Sequence, residues 1–314
     1  MSTSSHAPER SRVEIIRRWS VGIAGGLILI PAVLFANLLQ MLSVVLLPFS
    51  IRAFRRANSA IAGVWWGACV LYAKHLQGIA IHVTGDAIPR DENAVLVVNH
   101  QSMADIPVLL DYAFRHRRLG NLKWYVKDVL KWVPGIGWGM LFLDCLFIKR
   151  NWAADKAGIE RVFKGLRTGR VPAWIVSFAE GTRFTTAKHA RSQEYAREHG
   201  KPLLRHLLLP RTKGVVATLE GLGDHVQAVY DITIGYHGSV PSLTQYFFGQ
   251  ATNVSLHISR TPVSDLPATR EERTEWLFES YRRKDELLDQ HYATGQMPGH
   301  PRECTRNDAT PHQT

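Results

Sequence analysis

Between Arg18 and Arg52 the chain carries no charged residue. This run, WSVGIAGGLILIPAVLFANLLQMLSVVLLPFSI, exceeds the about 20 apolar residues a helix needs to cross the hydrocarbon core of a bilayer. It is also far longer than the apolar core of a secretory signal, and no polar mature start follows its small residues. The bland alternative is a buried hairpin of a water-soluble protein, but core helices rarely run this far uncharged. A second apolar stretch, 57–73, is shorter and holds Trp65, Trp66 and Tyr72, aromatics suited to a membrane–water interface.

Arginines flank the first run on both sides: Arg10, Arg12, Arg17 and Arg18 before it, Arg52, Arg55 and Arg56 after it. Positive charge favours the cytosolic side, so both ends are expected there. A re-entrant pair broken at Pro31 or Pro48 meets this condition, and so does an interfacial hairpin held in one leaflet. A single crossing does not.

Beyond Gln77 short β-rich runs alternate with helical patterns, the texture of an α/β domain. Strands are expected at 78–85, 94–99, 145–149, 173–178, 228–236 and 254–259, and helices at 104–115, 152–168, 188–198 and 270–291. The continuous Val/Leu run of 94–99 suits a strand buried on both faces. The polar end after 294 shows no periodicity and is expected to be disordered. The organisation expected is a polar basic 1–20, anchoring helices over 21–76, a catalytic domain over 77–293 and a tail over 294–314.

The net charge of +11 and pI near 9.8 call for an anionic partner: nucleic acid, an anionic membrane surface or a phosphorylated substrate. Between Glu180 and Gly214 stand eight Lys and Arg against three acidic residues. A lipid surface accounts for both the basic cluster and the apolar N-terminus, whereas nucleic acid accounts only for the charge. The three cysteines share no short spacing, which supports neither a zinc site nor a disulfide framework and fits a reducing compartment.

The chemistry-bearing segment is NHQSMAD, directly after a buried strand. On a continuous helix His100 and Asp105 would lie about 140° apart. They meet only if His100 sits in the loop and Asp105 in the first turn of the next helix. In that arrangement the carboxylate holds one imidazole nitrogen and leaves the other free to take a proton. The spacing alone arises often by chance, so a loop histidine capped by a carboxylate is the competing reading. Three further segments follow: FIKR at 147–150, EGTR at 180–183 after another strand, and HLLLPRTKG at 206–214. Each sets cations or polar groups at a strand end, where ligands of open α/β sheets gather.

Taken in order, NHQSMAD, FIKR, EGTR and LLLPRTKG closely resemble the four blocks of the lysophospholipid (1-acylglycerol-3-phosphate) acyltransferases. The connecting text LKWYVKDVLKWVPGIGW and AVYDITI is similar to the larger lysophosphatidate and lysocardiolipin acyltransferases and their bacterial relatives. The resemblance covers roughly 78–290. It implies a mixed, largely buried β-sheet flanked by helices, an α/β fold, behind an N-terminal membrane-anchoring helical segment. It implies transfer of a fatty acyl group from acyl-CoA or acyl-carrier protein to the free hydroxyl of a lysophospholipid at an anionic membrane, without metal or organic cofactor. His100 would be the general base and Asp105 its orienting partner. Asn99, Lys127, Arg150, Glu180, Gly181, Thr182 and Arg183 would serve the acceptor, and Pro210 the acyl-donor side. Many members begin the second block with Gly where this chain has Asp144. The oxyanion donors are not legible; backbone amides after His100 are the first place to expect them.

The same resemblance implies a bacterial inner-membrane or endoplasmic-reticulum setting with the catalytic part facing the cytosol. Other acceptors, lysophosphatidylglycerol or lysocardiolipin, fit the same chemistry. A basic membrane scaffold or nucleic-acid binder is the reading from another class; steep salt dependence of nucleic-acid binding would favour it.

Overall fold

The fold follows from runs of β-branched residues that can only be satisfied by burial on both faces. In the computed structural model, which describes residues 12–149, 151–250 and 253–299, these runs form one sheet of seven strands. The strands are β1 (Ala80–Gly85), β2 (Ala94–Val98), β3 (Leu122–Lys127), β4 (Leu146–Ile148), β5 (Trp174–Phe178), β6 (Ala228–Tyr236) and β7 (Asn253–Pro262). Their order is β1-β7-β6-β2-β5-β3-β4. Only β6 and β7 pair antiparallel; every other neighbouring pair is parallel. The C-terminal ends of β2, β3, β4, β5 and β6 therefore share one edge of the sheet, and the motif segments gather there.

Every residue of β2 and β6 is buried. Along β2, Ala94, Leu96 and Val98 face one core and Val95 and Val97 the other. Each fully buried Val or Leu contributes roughly 1.5–3 kcal/mol, so the centre of the sheet anchors the fold. The helices are α1 (Arg12–Leu42), α2 (Ile51–Leu71), α3 (Asp105–Arg115), α4 (Ile136–Phe142), α5 (Trp152–Gly169), α6 (Thr186–Glu198), α7 (Thr212–Leu222), α8 (Leu243–Phe247) and α9 (Arg270–Thr294). Residues of α2 and α3 build the first core; α5, α7 and α9 build the second. The result is a helix–sheet–helix sandwich.

The expected strands and helices form, with ends shifted by up to a few residues. The pattern does not mark β3, because Lys123 interrupts its apolar run; the sheet buries that lysine. α9 begins with a capping box at Thr269 and Glu272 and ends at Gly295, whose φ of +75° suits a residue without a Cβ. Met297 still packs into the second core. The rest of the expected tail, 300–314, lies outside the described residues, as does Arg10.

The N-terminal helices sharpen the expectation in two ways. Pro31 does not break α1; the chain turns instead around Pro48, and Ser50 caps α2 by accepting the N–H of Ala53. The second stretch also packs against the protein. α2 buries Ala62, Trp66 and Val70 in the first core, Trp65 donates its indole N–H to the Leu29 carbonyl at 3.1 Å, and Tyr72 is buried. Among the described residues only 12–46 is long and apolar enough to cross a membrane. α1 is packed inside out: it buries Gly22, Gly25, Asn37 and Gln40 and exposes Ile23, Leu27, Ile28, Ile30, Leu34, Phe35 and Leu38.

Candidate active site

The β2 strand ends at Val98, and the backbone leaves the sheet with Asn99. Asn99 is fully buried and spends its amide on one residue of β6: its Nδ2 donates to the Ile234 carbonyl at 3.0 Å, and its Oδ1 accepts the Ile234 N–H at 2.8 Å. This extends the β2–β6 ladder by one side chain. Asn99, expected among the acceptor-binding residues, thus faces the sheet and aims the loop.

His100 follows, and Asp105 opens α3, which is the loop-and-first-turn placement the pairing needs. Asp105 Oδ2 lies 2.9 Å from His100 Nδ1 and accepts the backbone N–H groups of Gln101 and Ser102 at 2.8 and 2.9 Å. Its Oδ1 accepts the Tyr236 hydroxyl at 2.7 Å. Asp105 is wholly buried, and its carboxylate is held from four sides by these partners. With an anion at Nδ1, the proton of a neutral imidazole sits there and Nε2 is the basic nitrogen. Among the described residues no protein group hydrogen-bonds Nε2. The ring of Phe178 stacks on the imidazole with centroids 4.0 Å apart, fixing its plane.

Three of the amides after His100, expected as oxyanion donors, are bonded within the loop. Those of Gln101 and Ser102 are committed to Asp105, and that of Ala104 goes to Ser102 Oγ. Asp105 needs them because a buried carboxylate without donors costs several kcal/mol.

Glu180 knits the blocks together. Its Oε1 accepts the His100 backbone N–H at 2.8 Å and its Oε2 the Leu208 N–H at 3.2 Å. Burial pushes its carboxyl up to about 8, while those two N–H groups pull it the other way. Gly181, at φ +68°, keeps space for the Arg211 side chain: a Cβ there would stand 2.8 Å from Arg211 Cδ. The Arg211 N–H itself donates to the Ala179 carbonyl at 2.6 Å. Thr182 accepts from the Lys188 ammonium at 2.6 Å, and Arg183 is exposed beside it. Lys127 is exposed at the end of β3, and Pro210 is buried behind Arg211. Arg150 lies outside the described residues. Asp144 takes up the left-handed conformation, φ +55°, that glycine adopts most readily, and its carboxylate pairs with Arg55 of α2 at 2.9 Å.

Three contributors escape a sequence reading: Tyr236 on Asp105, Phe178 on His100, and Lys284. The Lys284 ammonium is fully buried in α9, paired with Asp231 and donating to the carbonyls of Val97 at 3.1 Å and Ile232 at 2.6 Å. Burial lowers its pKa and Asp231 opposes the shift. It braces β2 and β6 just before the catalytic loop. The only sequence signal is a charge on the apolar side of α9. Among the described residues no group of three or more His, Cys, Asp or Glu side chains is arranged to hold a metal ion.

The sequence model of the family described as "Acyltransferase" matches residues 80–236, and that described as "Acyltransferase C-terminus" matches 245–313. The chain is similar to probable 1-acyl-sn-glycerol-3-phosphate acyltransferase 5 of Arabidopsis thaliana. The two are 33% identical over 257 residues, 82% of this chain and 68% of that protein. It is 31% identical over 279 residues to 1-acyl-sn-glycerol-3-phosphate acyltransferase gamma of Homo sapiens, 87% of this chain and 74% of that protein. In fold it resembles the crystal structure of the 1-acyl-sn-glycerophosphate acyltransferase of Thermotoga maritima. The TM-score is 0.55 at 19% identity, covering 88% of this chain and 98% of that one.

Proposed function

The chain belongs to the acyltransferase family, and from that premise we propose that it moves a fatty acyl group from a thioester to the free hydroxyl of 1-acylglycerol-3-phosphate, giving phosphatidic acid. One observation carries the mechanism: His100, oriented through Nδ1 by a fully bonded Asp105, turns an unpartnered Nε2 outward at the strand edge. Nε2 takes the proton of the acceptor hydroxyl as its oxygen attacks the thioester carbonyl. The tetrahedral intermediate collapses by breaking the C–S bond, and the imidazolium returns its proton to the departing thiolate. The thioester is already activated, so no enzyme nucleophile is required; a base and fixed geometry carry the step. Asp105 steadies the transient imidazolium.

Lys127, Arg150, Arg183 and Arg211 are the cations proposed to hold the acceptor phosphate, with Thr182 beside them and Pro210 on the donor side. The names of the relatives support lysophosphatidate as acceptor. Acyl-CoA or acyl-carrier protein is the proposed donor.

We further propose that α1 lies in one leaflet, with the catalytic part in the cytosol. Both its ends are tied to the same domain: Arg18 donates to the carbonyls of Gln77 and Gly249, and Asn37 accepts the Gly135 N–H at 3.0 Å. The helix between these ties is roughly 28 Å long at 1.5 Å per residue, so a crossing would carry one tie through the bilayer. Its exposed Leu and Ile then face acyl chains.

Transfer of labelled acyl-CoA to a panel of lysophospholipids tests the reading. His100→Ala is expected to lower turnover by about 10²–10⁴-fold without releasing the protein from membranes. Near-native turnover would remove His100 from the mechanism, and preference for another acceptor would correct the substrate.

A further inference from the structure

The segment joining β3 to β4 exposes apolar side chains that the mechanism does not use. In the 3-10 turn Asp128–Trp132 and in α4, Leu130 and Met140 turn inward against the first core. Val129, Trp132, Val133, Ile136 and Leu141 turn outward, with Trp132 74% and Val129 63% exposed. Exposed apolar residues are ordinary singly, but a contiguous group marks an interaction surface.

Two features say what covers it. First, the patch is continuous with the outward face of α1. Beyond the Asn37 tie, a Cβ at Gly135 would stand 3.5 Å from Val33 and 4.0 Å from Leu34, and Gly139 lies against Gln40 and Asn37. Around this junction α1 exposes Ile30, Leu34, Phe35, Leu38 and Met41. Second, the patch has the polar edge of an interfacial element. The Lys131 ammonium lies 5.5 Å from the Trp132 ring and pairs with Asp128, and Lys127 immediately precedes the turn. An indole with a cation beside it suits the headgroup level, where one side is apolar and the other wet.

We propose that residues 128–141 form a second membrane-contact element, seated in the same leaflet as α1, with Trp132 at the headgroup boundary. The occupant is the lipid leaflet itself, and this rests on the membrane reading of α1 given above. The element ends at Lys127, so a lysophospholipid moving along it from the leaflet meets the cations at the strand edge.

The test places an environment-sensitive fluorophore on a single cysteine at position 132, 27 or 282 of the full chain, with the native cysteines replaced and transfer activity verified. Position 27 reports α1, and position 282 reports α9 on the opposite side of the sheet. On adding vesicles of phosphatidylcholine and phosphatidylglycerol, positions 132 and 27 should shift to the blue and position 282 should not. A response at 27 with none at 132 would overturn the proposal while leaving α1 in the membrane. No response at either, with the protein left in the supernatant, would remove the membrane reading as well. A blue emission at 132 that grows with protein concentration without vesicles would make the occupant a second copy of the chain and defeat the proposal. As a functional arm, Trp132→Glu/Ile136→Glu should raise KM for vesicle-embedded acceptor about tenfold or more. Turnover on a short-chain, water-soluble acceptor should be unchanged; equal loss on both acceptors would also overturn it.

Discussion

The two most apolar parts of the molecule, α1 and β2, obey opposite packing rules. β2 turns five apolar residues inward and exposes none of them. α1 turns glycines, Asn37 and Gln40 inward and its leucines and isoleucines outward. Hydrophobicity alone would treat the two alike. The proposed seat of α1 in a leaflet accounts for the difference: where the outside is water the apolar face goes in, and where the outside is lipid there is no such drive, so small and amide residues make the protein contact. Two charged groups buried against the sheet are held by partners: Asp105 by Tyr236, the His100 ring and two backbone N–H groups, and Lys284 by Asp231 and two carbonyls.

The comparison breaks most easily at Lys284. Lys284→Met should destabilise the chain by about 3–5 kcal/mol, because it strands a buried carboxylate. Asp231→Asn added to it should recover most of the loss. Denaturant unfolding of both variants measures this, and an equal deficit in both would mean that packing rather than charge sets the cost. The apolar side of the comparison gives the next largest effect. Leu96→Ala, in the sheet, should cost about 2–5 kcal/mol, whereas Leu27→Ala on α1 should stay within about 0.5 kcal/mol in detergent and show itself as weaker retention on membranes. Similar unfolding losses at the two positions would erase the distinction.

The smallest effect is a pH dependence. In the folded chain Glu180 is raised from an ordinary 4.5 to about 8, so it holds a proton that the unfolded chain has released. Its stabilising contribution is therefore full below about pH 4.5 and is lost as pH rises through about 8. The melting temperature of the native chain should fall relative to Glu180→Gln between about pH 5 and about pH 9. A constant difference would place the ionised form of Glu180 in the fold throughout.

Much of the fold was legible because its signals are local. A Val/Leu run marks β2 and the run WIVSF marks β5, the Thr269–Glu272 box marks the start of α9, and a strand followed by His100 and Asp105 marks the catalytic loop. β3 was missed because its buried Lys123 is masked by the usual rule that lysine seeks water. The second apolar stretch is ambiguous in the sequence because Trp66 and Tyr72 suit an interface and a core equally well until a neighbour is known.

By itself the sequence determined the order of the four blocks, the placement of His100 before a helix opened by Asp105, and the presence of a segment too long and apolar for an ordinary core. Only the tertiary structure decided that Tyr236, 131 residues from Asp105 in the chain, completes its carboxylate. The same holds for the amides of Gln101 and Ser102 serving Asp105, and for α1 turning its polar face to the protein. The reason is physical: spacing fixes which neighbours a residue can reach along its own element, but a buried polar group is satisfied by whatever the sheet brings across from elsewhere.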